Sequence, residues 1–194
     1  MNKSKEKKHI EKNGWNNLSL DERNDWELQK QRIIVIVEEF NEYMARDIIT
    51  KLEVMDEISD EPVKIIIDSV GGSTADGFAI VGTIEQMRSH VITEARGLAA
   101  SMGLFLLMAG DERRATRHTR FLLHEVSMGS RGYMKVGEWD DDTTELKNHN
   151  EMLADYVVEK SKLSKSKLKK LWTRRDFWCN AETALDLGFI DEVM

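Results

Sequence analysis

Ser101 stands in the run Gly97-Leu98-Ala99-Ala100-Ser101-Met102-Gly103, where side chains nearly vanish around one hydroxyl. An apolar, strand-like stretch, Val91–Ala95, precedes the run, and the apolar helix candidate Leu104–Met108 follows it. Small residues let two backbones approach closely, so tight helix packing is one reading of the segment. The other reading is chemical. A hydroxyl left uncovered at the start of a helix lies beside free N–H groups, and those donors would stabilise an oxyanion formed there. Serine must hand its proton to a base before it can attack. Of the five histidines, His9 lies in a charged arm, His118 in the polar run Arg117–Arg120, and His149 among polar helix residues. His90 falls between Ser89 and a strand. Only His124 ends an apolar strand, Phe121-Leu122-Leu123, beside a glycine-containing loop, where catalytic groups gather in parallel-sheet proteins. A core histidine held by a carbonyl is the plainer role for it, and the serine run upstream favours the general base.

A base of this kind needs a carboxylate to fix its tautomer. Asp176 is the best candidate, because Phe177-Trp178 beside it would shield the carboxylate from water; a salt bridge to Arg174 or Arg175 is its competing role. Asp111, Asp186 and Asp191 lie in a turn or on helix margins. Met102 follows the nucleophile and would supply one oxyanion N–H. Gly71-Gly72, after the apolar run Ile65-Ile66-Ile67, reads either as a simple strand-to-helix turn or as a place where a substrate carbonyl comes close.

The elements around these residues alternate. Arg32–Val37 is β-branched and continuous, and reads as a strand covered on both faces. Met44, Ile48 and Leu52 repeat every fourth residue through a helix over Tyr43–Val54. Pro62 leads into a strand at Val63–Ile67, Phe78, Val81 and Ile84 mark the next helix, and Val91–Ala95 the next strand. Strands alternating with helices predict an α/β fold with βαβ crossovers and a largely parallel sheet. Ser127–Gly132 reads as a flexible loop, and a long helix is expected from about Lys135 to Lys162, with Leu146, Leu153 and Val157 as a narrow apolar stripe. Asp140, Asp141 and Asp142 near its start suit the helix dipole better than a metal. Leu163–Leu171 is a basic amphipathic turn with a solvated face, and Asn180 and Gly188 should bracket a short helix, Ala181–Leu187.

The chain has 194 residues, enough for one domain, and 41% hydrophobic content supports a real core. A net charge of −7 argues against nucleic acid, which asks for a basic patch. One cysteine excludes an internal disulfide. No apolar run approaches the ~20 residues of a membrane span, and the charged N-terminus lacks a signal-peptide core. The cytoplasm is the expected compartment. Residues 1–31 form a polar arm in which only Trp15 and Trp26 suggest docking. No G-x-x-x-x-G-K-[ST] loop is present, so ATP should not bind this chain.

The Ala-Ser-Met-Gly run, the Gly-Gly turn and the strand-ending histidine, in this order, resemble the ClpP family, the proteolytic subunits of ATP-dependent Clp proteases. The resemblance runs from about Arg32 to the C-terminus. It implies a ClpP/crotonase-like α/β fold over residues 32–194, with a projecting handle at about 127–162 that interdigitates between stacked heptameric rings. It implies a Ser101–His124–Asp176 triad, with Gly72 as the second oxyanion donor beside Met102. An extended peptide would lie as an added strand along Gly71, Ser73 and Thr74 and along Glu125-Val126. No cofactor is implied; a separate AAA+ unfoldase is. The arm would then be an axial loop lining the pore, a propeptide or a tail. Departures are Val70 in place of the proline before Gly-Gly, Glu125-Val126 in place of Gln-Pro, and a slightly shorter segment between serine and histidine. The rival readings are an inactive ring subunit or adaptor and a crotonase-like CoA-thioester enzyme.

Overall fold

β-branched runs build a seven-stranded sheet around one long strand, β3 (Val91–Ala100). The computed structural model describes residues 19–127, 129 and 135–194. β1 (Ile33–Ile36), β2 (Val63–Ser69) and β3 lie parallel in that order. β3 then serves two neighbours. Its first half pairs with β4 (Glu112–Ala115) through Ile92–Ala95, and its end pairs with β5 (Arg120–Leu123) through Leu98–Ala100. β6 (Phe177–Asn180) runs antiparallel to β5, and β7 (Glu192–Val193) closes the far edge beside β4. The predicted α/β class and mainly parallel sheet hold.

One sheet face makes the core. Val63, Ile65, Ile67, Val91 and Ala95 are fully buried there, under α2 (Glu42–Ile58), α3 (Thr74–Gln86) and α4 (Met102–Met108). Ala45, Ile48, Leu52 and Met55 supply the inward stripe of α2, which runs one turn beyond the predicted end at Val54. β1 corrects the expectation of cover on both faces. Its residues alternate, with Ile34 and Ile36 buried and Val35 42% exposed, because β1 is an edge strand with helices on one side.

The segment expected to be a featureless polar arm contains a helix, α1 (Leu20–Lys30). It buries no residue, and a capping box between Ser19 and Glu22 opens it. Asp25 reaches Lys51 on α2 at 3.0 Å, while Trp26 stacks under the Lys30 ammonium. A helix held by caps and charge pairs leaves no apolar periodicity to read. Trp15 and His9 lie outside the described residues.

After β5 the chain leaves the sheet. The loop expected at Ser127–Gly132 falls mostly outside the described residues. α5 (Val136–Lys160) has 25 residues, a length of about 37 Å. Only its second half is anchored: Leu153, Ala154, Tyr156 and Val157 are buried, whereas Trp139 is exposed. Tyr156 donates to the Phe105 carbonyl at 3.2 Å and packs edge-on against Phe78. Burial raises its phenol well above the ordinary range. α6 (Lys165–Trp172) buries Leu168 and Trp172 and pins Lys165 to Asp155 and Glu151 of α5. α7 (Ala181–Leu187) carries the predicted Asn180 cap and the left-handed Gly188 stop. Among the described residues, no helix is long and apolar enough to cross a membrane.

The C-terminus of α2 is closed by side chains. Arg32 donates to the Met55 and Ser59 carbonyls at 2.7 and 3.0 Å and to Ser89 Oγ at 2.9 Å. Asp56 accepts from the N–H groups of Ser89 (2.8 Å) and Arg88 (3.1 Å). The Ser89 side chain and N–H, then Arg88, hold the Asp56 carboxyl down at about 2, against an ordinary 3.8. A depressed carboxyl stabilises the fold above its unfolded pKa, and that contribution is lost as pH falls from about 4 toward 2. Asp56→Asn should therefore lower the melting temperature at neutral pH and flatten its decline across that acid window. A calorimetric pH series for both proteins checks this; parallel curves would remove Asp56 from the account.

Candidate active site

Ser101 occupies the junction between β3 and α4. Its N–H donates to the Leu122 carbonyl of β5 at 2.9 Å, so the adjacent strand fixes the junction. Its backbone sits at φ 52 and ψ −122, a costly region for a residue with a Cβ. Serine before a helix usually caps it. Ser101 makes no such side-chain bond, which leaves its hydroxyl uncommitted. Met102 is the first residue of α4, so its N–H has no partner within its own helix. The apolar side chains of α4 are buried, which anchors the nucleophile to the middle of the sheet.

The turn after β2 comes up against this junction. Ser69, itself buried, donates from Oγ to the Glu38 carbonyl at 2.6 Å and accepts the Gly71 N–H at 3.2 Å. The Phe40 N–H donates to the Gly71 carbonyl at 2.8 Å, and the Ser73 N–H to the Phe40 carbonyl at 2.9 Å. These bonds use the Gly71 and Ser73 N–H groups and leave the Gly72 N–H without a partner among the described residues. Gly71 and Gly72 have φ of 101 and 139, and a Cβ on Gly71 would lie 2.6 Å from Ser101 Cβ and 3.0 Å from Met102 N. Gly71 is thus pressed against the nucleophile, Gly72 shares the wall of the same cavity, and among the described residues the Gly72 and Met102 N–H groups make no backbone bond.

A cavity of about 720 Å3 opens over the junction. Ser101, His124, Gly72, Ser73, Thr74, Glu125 and Val126 are in its wall, facing Phe105 and three residues of α5: Leu146, His149 and Leu153. The structure therefore brings the predicted nucleophile and base into one space. His149 was passed over as a polar helix residue. Its spacing from Leu146 and Leu153, three and four positions, places all three on one helix face and was the signal available.

Asp176 behaves differently from expectation. The β5–β6 register ends with Leu123 opposite Phe177, so His124 and Asp176 are the next opposed positions. Yet Asp176 is exposed rather than shielded, and among the described residues it bonds neither to His124 nor to Arg174 or Arg175. The cause is strand alternation. Phe177 and Cys179 turn inward, so Trp178 and Asp176 turn outward.

The expected docking edge has part of its hydrogen-bonding groups in use within the chain. Glu125 uses its carboxylate on Asn150 Nδ2 (3.1 Å) and the Arg174 N–H (2.7 Å), and the Val126 N–H donates to Asn150 Oδ1 (2.8 Å). Ser73 uses its hydroxyl to cap α3, accepting from the Asp76 N–H. The N–H groups of Gly71, Ser73 and Val126 are thus committed within the chain. An added strand would find no free N–H at these positions.

The chain is thus an α/β protein with a mainly parallel sheet, a strained serine at its centre and a histidine in the wall of the same cavity. The Clp protease family model matches residues 21–194, and the chain belongs to the Clp protease family. It is similar to the ATP-dependent Clp protease proteolytic subunit 3 of Parasynechococcus marenigrum, 35% identical over 167 residues that cover 84% of this chain and 82% of that protein. It is also similar to the proteolytic subunit 2 of Prochlorococcus marinus, 33% identical over 170 residues covering 86% and 84%.

Proposed function

We propose that this chain is an active Clp-type serine endopeptidase that cuts unfolded polypeptides into short peptides. The observation that carries the reading is the strained Ser101, whose side chain makes no capping bond and which shares one cavity with His124 and Gly72. His124 takes the Ser101 proton as Oγ attacks a peptide carbonyl. The Gly72 and Met102 N–H groups receive the oxyanion of the tetrahedral intermediate. His124 then protonates the departing amine, and water releases the acyl group by the same route in reverse. Asp176, next in register to His124, takes the orienting role once its turn closes over the histidine.

Assembly and supply complete the proposal. The exposed first half of α5 acts as the handle between stacked heptameric rings, which enclose the sites. The arm of residues 1–31 serves as an axial loop at the entry pore, with a propeptide or a tail as its other roles. A separate AAA+ unfoldase delivers substrate, since this chain has no nucleotide-binding loop, and the cytoplasm is the setting.

One observation favours a second reading, an inactive ring subunit: Asp176 makes no bond to His124. A fluorophosphonate probe distinguishes the two. The proposal expects one stoichiometric adduct that peptide mapping places on Ser101. An intact assembly that stays unlabelled would establish the inactive subunit instead.

A further inference from the structure

Glu125 follows the proposed base directly, and its carboxylate joins two elements far apart in sequence. Oε1 accepts from Asn150 Nδ2 on α5 at 3.1 Å, and Oε2 accepts from the Arg174 N–H at 2.7 Å. Asn150 returns to the same strand end, because its Oδ1 accepts the Val126 N–H at 2.8 Å. These bonds tie together the segment after His124, the long helix and the turn that leads to Asp176. The turn needs holding. Arg174 has a φ of 56, a left-handed conformation unfavourable for a residue with a Cβ. Its N–H is held by a charge-assisted bond, the stronger kind.

We propose that Glu125, acting with Asn150, is a positioning residue for the reaction rather than a substrate-binding one. It ties the His124 end of β5 to α5 and to the turn before Asp176, and so sets where the base stands in the wall of the Ser101 cavity. The proposal rests on the peptidase reading above. It assigns Glu125 no contact with the peptide: both carboxylate oxygens are occupied within the chain.

Glutamine at this position keeps an acceptor for the Arg174 N–H, and its amide can donate to an Asn150 oxygen that has two lone pairs. Alanine keeps neither bond. Glu125→Ala should therefore lower kcat on a short peptide roughly 10- to 100-fold with KM nearly unchanged, since misplacing a catalytic group costs that much. The rate of fluorophosphonate acylation should fall in parallel, because that small probe reports the nucleophile and base without filling the peptide subsites. Asn150→Ala should show the same pattern, and the double variant should lose little more than either single one. Glu125→Gln should recover most of the rate. Melting curves for each variant separate a loss of fold from a loss of position.

A higher KM with unchanged acylation would overturn the proposal and make Glu125 a peptide contact. Unchanged kcat and acylation in folded Glu125→Ala would also overturn it, reducing the bonds to scaffolding. Failure of the wild-type chain to react with the probe would be the failure of the peptidase reading itself, and is seen before any variant is made.

Discussion

Ser101→Ala should lose hydrolysis of short peptides by about 10^4- to 10^6-fold, as removal of a catalytic serine typically does, and still sediment as the unaltered chain does. The two halves of the result have separate causes. The hydroxyl makes no capping bond, so the fold does not use it. Alanine keeps the Cβ and removes only the oxygen. The strained backbone at φ 52 is held by the Leu122 carbonyl and by the buried α4, neither of which needs the side chain. Steady-state assays on a fluorogenic peptide and sedimentation velocity at micromolar concentration measure both halves. Retained hydrolysis would exclude Ser101 as nucleophile. A wild-type chain found only as monomer or dimer would end the ring proposal and leave the chemistry standing.

Gly71→Ala is expected to damage both the fold and the setting of Ser101. The added carbon would lie 2.6 Å from Ser101 Cβ, 2.8 Å from the Ala100 carbonyl and 3.0 Å from Met102 N. Two of these neighbours are backbone and cannot swing aside. The φ of 101 adds strain for any L side chain, on the order of 1–2 kcal/mol, and overpacking adds about 1–3 kcal/mol more. The nucleophile and the Met102 N–H would be pushed together out of line. Loss of one oxyanion donor alone costs roughly 100- to 1,000-fold in kcat, so a fall of at least that size is expected, with a lower melting temperature. Gly82→Ala is the matched control: a Cβ there meets nothing within 4 Å, and alanine favours the helix that contains it. Equal behaviour of the two variants would refute the claim that Gly71 is pressed against the nucleophile.

What could be read from sequence was what is local. The β3–α4 junction, the Gly-Gly turn and the Asn180–Gly188 helix each depend on neighbouring residues, so their composition announces them. The family resemblance carried the order of Ser101, His124 and the sheet. Most of the differences involve distance along the chain. Whether Asp176 faces inward depends on the register of β6 against β5, which no neighbour of Asp176 encodes. The Arg174–Glu125 bond spans 49 positions, and the Glu125–Asn150 bond 25. β1 looked doubly buried because its composition is that of a central strand, although its place is at the edge. α1 was unreadable for the opposite reason, since it has no apolar stripe.

The strand that carries Ser101 is held on both sides, by β2 and by β4 and β5, over ten residues. The strands that carry His124 and Asp176 have four residues each, and β6 pairs with β5 alone. Resistance to opening is therefore shared unequally between the attacking group and the groups that serve it, because short peripheral elements open first. Detaching β6 would break its pairing with β5 alone and leave the strands beneath Ser101 closed. The neighbourhood of Asp176 can thus loosen at a cost well below that of unfolding the chain.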